Sequence, residues 1–127
     1  MDEQHSADAT VLVRESVLKR FCIDLLRQVD VSQDDARLII ENLVEADLRG
    51  VESHGIVRLP IYFERLRVGV INARPTITRL RDTPTSAVVD GDNGMGQLVG
   101  LRAMELAIEK GRQGACAFVA VRNSNHY

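Results

Sequence analysis

Apolar side chains recur at three- and four-residue steps through Leu18, Phe21, Cys22, Leu25, Leu26 and Val29, which predicts an amphipathic helix beginning after Thr10. Val31 breaks that phase. Ser32-Gln33-Asp34-Asp35 then reads as an N-cap with carboxylates in the first turn, where the helix dipole favours them. The second helix buries Ala36, Ile39, Ile40, Leu43, Val44 and Leu48, and Gly50 is suited to stop it. The segment from Gly50 to Pro60 is predicted to be irregular. A third helix starts near Pro60 and runs through Tyr62, Phe63 and Leu66 to Gly69, because proline is best tolerated in a first helical turn and pushes Leu59 towards extended geometry. A helix from Ser53 kinked at Pro60 is the alternative.

After Gly69 the period shortens. Thr76 to Leu80 alternates polar and apolar, Asp82-Thr83-Pro84-Thr85 is a turn, and Ala87-Val88-Val89 is a short apolar strand, together a hairpin. Asp90 to Gly94 reads as a loop. Helical spacing returns from about Met95 to Gly111 through Leu98, Leu101, Met104, Leu106 and Ile108. Ala115 to Val121 is a continuous apolar run, predicted to be a strand covered on both faces.

The fold class is therefore mixed α/β, with N-terminal helices followed by a β-hairpin–helix–strand unit. A strand as apolar as the last one calls for neighbours on both edges and a layer over each face. The sequence accordingly reads as the front part of something larger, with residues 1–9 a tail too polar to pack and residues 10–127 the folded portion.

Composition adds mainly exclusions. The 127 residues suffice for one domain, and 45% hydrophobic with 27% charged residues is ordinary for a soluble globular protein. A net charge of −2, with the positive residues scattered among carboxylates, offers nothing to nucleic acid or an anionic membrane. No apolar run approaches a membrane span, and the acidic start Met1-Asp2-Glu3 is the opposite of a secretory or mitochondrial leader. Cys22 and Cys116 are distant in sequence, each within an apolar pattern, and neither has a partner at metal-ligand spacing. They are expected to be buried, reduced thiols of a cytoplasmic protein.

Two short runs carry candidate chemistry. Ser53-His54-Gly55-Ile56-Val57-Arg58 sets an imidazole four residues before a guanidinium, at or just before a helix N-terminus. An imidazole can pass a proton at neutral pH and a guanidinium can clamp a carboxylate through two parallel hydrogen bonds. Asn123-Ser124-Asn125-His126 is a polar cluster at the mouth of an apolar strand, where sheets gather ligands. His5 lies in the tail and is incidental.

Two further runs have blander explanations. Gly94-Met95-Gly96-Gln97-Leu98-Val99-Gly100 imitates a dinucleotide fingerprint, but the connection from the preceding strand is too long and carries two carboxylates that would repel a pyrophosphate. Helix packing and turn geometry account for its glycines. Asp90, Asp92 and Asn93 imitate the start of a calcium loop, yet Leu101 stands near the place of the bidentate glutamate, and no metal site is expected.

Taken in order, the run Gly50 to Pro60, then Val89-Asp90-Gly91-Asp92-Asn93-Gly94-Met95-Gly96, then Val121-Arg122-Asn123-Ser124-Asn125-His126 resembles the malate/L-lactate dehydrogenase family, which is unrelated to the Rossmann-type lactate dehydrogenases. The resemblance runs from the first helix to Tyr127. It implies the N-terminal portion of a longer non-Rossmann fold that transfers a hydride between NAD or NADP and a small 2-oxo or 2-hydroxy acid. It implies a homodimer, with most cofactor contacts beyond Tyr127, so that these residues alone would be inactive. By the same resemblance His54 is the proton donor or relay with Ser53 beside it, and Arg58 meets the substrate carboxylate. His126 resembles a proton acceptor, with Ser124 and Asn125 lining the same pocket. A reading from a different class is a standalone binding or interaction module without catalysis.

Overall fold

The computed structural model describes residues 11–126, so the polar tail expected at residues 1–9 lies outside the described residues. Three helices come first: α1 (Glu15–Arg27), α2 (Gln33–Leu48) and α3 (Leu59–Arg67). Two short 3-10 turns, Glu52–His54 and Ile56–Arg58, join α2 to α3. The strands β1 (Thr78–Asp82) and β2 (Ser86–Gly94), helix α4 (Gly96–Gln113) and strand β3 (Phe118–Ser124) complete the order.

Local signals place the ends of these helices. Ser32 is the N-cap of α2, its Oγ accepting the Asp35 N–H at 3.2 Å. Beyond Leu48 the chain turns at Gly50, whose φ of +75° is costly for any residue with a Cβ. Pro60 falls in the first turn of α3, as its missing N–H predicts, and the kinked continuous helix is not formed, but Leu59 is helical (φ −57°, ψ −42°) and opens α3 instead of being extended.

The core is in two parts. α1, α2 and α3 enclose Cys22, Leu26, Ile39, Ile40, Leu43, Leu59, Tyr62 and Leu66, with Ile71, Met95 and Leu98 closing one end. Burial pushes the Cys22 thiol pKa up. A smaller cluster of Ala87, Val89 and Leu106, with Ile77 and Val119 against it, joins the sheet to α4. The sheet order is β1-β2-β3, with β1 antiparallel and β3 parallel to β2. Lys110 of α4 is nearly buried and reaches back to the Asp82 carboxylate and the Thr83 carbonyl, tying the hairpin turn to the helix. That ammonium holds the Asp82 carboxyl below the usual carboxylate range.

Several expectations are corrected. Asp90 to Gly94 is no loop but the end of β2, where Asp92 and Asn93 adopt left-handed backbone (φ 49° and 55°) and the pairing slips before resuming at Gly94 opposite Ser124. Asp and Asn tolerate that conformation, so a bulge can continue a strand through a sequence that reads as a turn. The Asp92 carboxylate accepts from Asn72 Nδ2 at 2.9 Å and the Thr76 N–H at 2.8 Å, a structural use for the residue that imitated a calcium ligand. β3 begins at Phe118 and is not covered on both faces: Phe118 is 68% exposed, and α4 is the helix packed against the strand. Phe21, Leu48 and Cys116 are exposed instead of buried, and so in large part are Met104 and Ile108. Periodicity marks a face but not how far the neighbouring element extends along it.

Candidate active site

Ser53, His54 and Arg58 sit on the double 3-10 connection. Its two turns are closed by backbone bonds, His54 N–H to Val51 O at 2.9 Å and Arg58 N–H to Gly55 O at 3.0 Å. The Ser53 hydroxyl lies 2.9 Å from His54 Nδ1. Arg58 folds back so that its Nε donates to the Ser53 carbonyl at 2.6 Å. This bond orients the guanidinium, and among the described residues both terminal nitrogens have no partner, which leaves two donors able to fork on an anion.

The second half arrives on β3. Asn123, inside β3, takes a left-handed φ of 52° where the pairing with β2 slips, one residue before it resumes at Ser124. Asn125 then pins the segment to the β2 bulge: its N–H donates to Gly94 O at 3.2 Å and its Nδ2 donates to Asn93 O at 2.8 Å and Asn93 Oδ1 at 2.9 Å. Ser124 is exposed, its hydroxyl 3.2 Å from the Asn125 carbonyl. Asp90 braces the same corner, accepting from Arg122 Nε at 2.7 Å and Asn123 Nδ2 at 3.0 Å. The backbone N–H of Asp92, then Arg122, holds the Asp90 carboxyl below its ordinary value.

These two halves meet. The rings of His54 and His126 stack with centroids 5.5 Å apart and planes at 26°. His126 Nδ1 lies 3.0 Å from the hydroxyl of Tyr62, a residue on α3 64 positions away and only 3% exposed. Each imidazole thus has Nδ1 engaged by a hydroxyl, and among the described residues Nε2 has no hydrogen-bond partner. Sequence reasoning placed Tyr62 in the core of α3 and missed its hydroxyl. The signal was present in part, since a buried tyrosine normally needs a polar partner, but nothing local names that partner.

The histidine pair stands on an open face. The larger hollows, one of about 550 Å³ between the hairpin and α4 and one of about 610 Å³ between α2 and α4, do not include it. A guanidinium four residues after one of two stacked imidazoles has the groups to bind an anion and exchange a proton. The glycine run gives no phosphate cradle, because Met95, Gly96, Gln97 and Leu98 are packed inside. Among the described residues no cluster of His, Cys, Asp and Glu is placed to hold a metal ion.

A family model described as malate/L-lactate dehydrogenase matches residues 13–127. The chain belongs to the malate/L-lactate dehydrogenase family. Malate dehydrogenase of Pyrococcus abyssi is 45% identical over 117 residues, covering 92% of this chain and 32% of that protein. L-sulfolactate dehydrogenase of Methanocaldococcus jannaschii is 45% identical over 109 residues, covering 86% and 32%. The solved structure of malate dehydrogenase from Pyrococcus horikoshii OT3 superposes with a TM-score of 0.89 at 44% identity, over 92% of this chain and 34% of that one. The chain therefore spans about a third of the length of these relatives. Within the malate/L-lactate dehydrogenase family, the helices, hairpin and β3 described above are shared structure.

Proposed function

We propose that these residues form the proton-handling and carboxylate-binding part of an NAD- or NADP-dependent oxidoreductase acting on a small 2-oxo or 2-hydroxy acid, malate-like or lactate-like. The observation that carries this reading is the convergence of His54, His126 and Arg58 from two separate elements, in a chain whose relatives are named as malate and L-sulfolactate dehydrogenases. Hydride exchange at the 2-carbon is the chemistry that the nicotinamide cofactor supplies. The chain's own residues supply the rest. Arg58 holds the carboxylate through its two terminal nitrogens and so sets which face of the 2-carbon is presented. His54 gives its proton to the 2-oxygen in reduction and takes it back in oxidation, with the Ser53 hydroxyl at Nδ1 as its relay partner. His126, steadied by Tyr62, exchanges protons on the same oxygen side, and Ser124 and Asn125 precede it to meet the substrate. The full-length protein works as a homodimer in the cytoplasm, and the 127 residues alone do not turn over substrate. The dimer rests on the family resemblance, and the compartment on two cysteines that form no disulfide with each other. No described helix is long and apolar enough to cross a membrane.

The test is a panel of 2-oxo acids offered to the full-length protein with NADH and NADPH. Oxidation of the cofactor by at least one acid supports the proposal; none across malate-type, lactate-type and sulfonated acids overturns it. Arg58→Lys will raise KM for the 2-oxo acid by about tenfold with a smaller change in kcat, because an ammonium cannot form the fork. An unchanged KM removes Arg58 from carboxylate binding. Tyr62→Phe keeps the ring in the core but deletes the hydroxyl at His126; kcat will fall by about fivefold, the worth of one ordinary hydrogen bond.

A further inference from the structure

His54 is exposed, and apart from its ring stack on His126 and the neighbouring Ser53 hydroxyl its position comes from the backbone beneath it. We propose that Asp47 is the positioning residue for that imidazole, latching the Ser53-His54-Gly55 turn onto the end of α2. This inference rests on the acid role proposed for His54.

Asp47 lies in the last turn of α2 and holds the loop at both ends. Its carbonyl accepts the Gly50 N–H at 2.9 Å, where the chain leaves the helix. Its carboxylate Oδ2 accepts the Ile56 N–H at 2.9 Å, where the chain starts its second 3-10 turn. Between these bonds lie Ser53, His54 and Gly55. The carboxylate also presses on Gly55: a Cβ there would stand 1.7 Å from Oδ1 and 2.2 Å from Cγ of Asp47. Gly55 has φ −89°, which any residue adopts, so glycine is needed here for room and not for conformation. α2 itself is anchored by Ile40, Leu43 and Val44, all nearly inaccessible to solvent. The latch thus transfers the rigidity of the helical core to an otherwise open loop. Asp47 has no hydrogen bond to the imidazole among the described residues and acts through the backbone. A shift of about 1 Å in a reacting group can cost about a hundredfold in rate, so such an anchor matters to catalysis more than to overall stability.

The experiment measures kcat and KM for the 2-oxo acid in the full-length protein and its variants. Asp47→Ala is expected to lower kcat by about tenfold or more with a smaller change in KM. Asp47→Asn keeps a carbonyl for the Ile56 N–H and is expected to stay within about threefold of the parent. Gly55→Ala is expected to lower kcat in the parent, yet to add nothing in an Asp47→Ala background, where the Cβ has space. Parent-like kcat in Asp47→Ala overturns the latch. So does an Asp47→Asn variant as impaired as Asp47→Ala, which would point to charge, and so do additive losses in the double variant. If Asp47→Ala does not fold, Asp47→Asn alone decides by keeping or losing turnover. His54→Ala separates the two claims. Full turnover there removes the acid role, whereas lost turnover there with parent-like Asp47→Ala removes only the latch.

Discussion

Replacing His54 with alanine in the full-length protein will lower kcat by about a hundred- to ten-thousand-fold, the usual worth of a positioned general acid. Cofactor affinity will hold, because the side chain stands on an exposed loop beside Ser53 and His126 and supports no part of the core. The loss will appear in kcat and kcat/KM together, the signature of a group that acts only in the transition state. His126→Ala is the companion variant. Its ring is the stacking partner of His54 and has its own hydroxyl at Nδ1, so the two imidazoles are chemically similar and only kinetics can divide the acid role between them. Turnover unchanged in His54→Ala with a 2-oxo acid assigns the proton elsewhere.

The largest effect on stability is expected at Ile39. Its side chain is fully buried on α2, within the cluster that includes Leu26, Ile40 and Leu43. Ile39→Ala removes apolar volume and leaves a cavity that the surrounding helices can close only in part. The cost is about 2–5 kcal/mol, against about 0.5–1.5 kcal/mol for Ile39→Val. Denaturant unfolding checks this: the midpoint moves down with little change in slope, and the order alanine below valine below parent holds. Equal midpoints for parent and Ile39→Ala would mean that α2 is not packed as described. The same helix carries Asp47 in its last turn, so partial loosening of α2 will also lower kcat before the protein unfolds.

Much of this architecture was legible because its causes are local. Ser32 caps α2 with its own hydroxyl and Pro60 lacks the N–H that only a first turn can spare; these signals act within a few residues. The misreadings share a different cause. Asp90 to Gly94 has turn composition, yet Gly94 pairs with Ser124 and the left-handed Asp92 and Asn93 are held by Asn72, Thr76, Val70 and Asn125, partners distant in sequence. Phe21 and Leu48 match the helical period, but Phe21 stands exposed beside the buried Cys22 in mid-α1, and Leu48 is the last residue of α2. For β3, an apolar run announces that something should cover it, not what lies there.

The candidate site divides along the same line. Residue identity and spacing nominated Ser53, His54 and Arg58, and Ser124, Asn125 and His126, as candidates, because imidazole, hydroxyl and guanidinium groups can move protons and bind anions and short motifs keep them adjacent. They were enough for the family too, since three motifs in a given order are rarely met by chance. Which imidazole faces which was settled by folding: α3 brings Tyr62 to His126, the β2 bulge holds Asn125, and α2 sets the loop of His54. Each of those contacts joins residues from different elements, and their geometry exists only once the helical core and the sheet have packed.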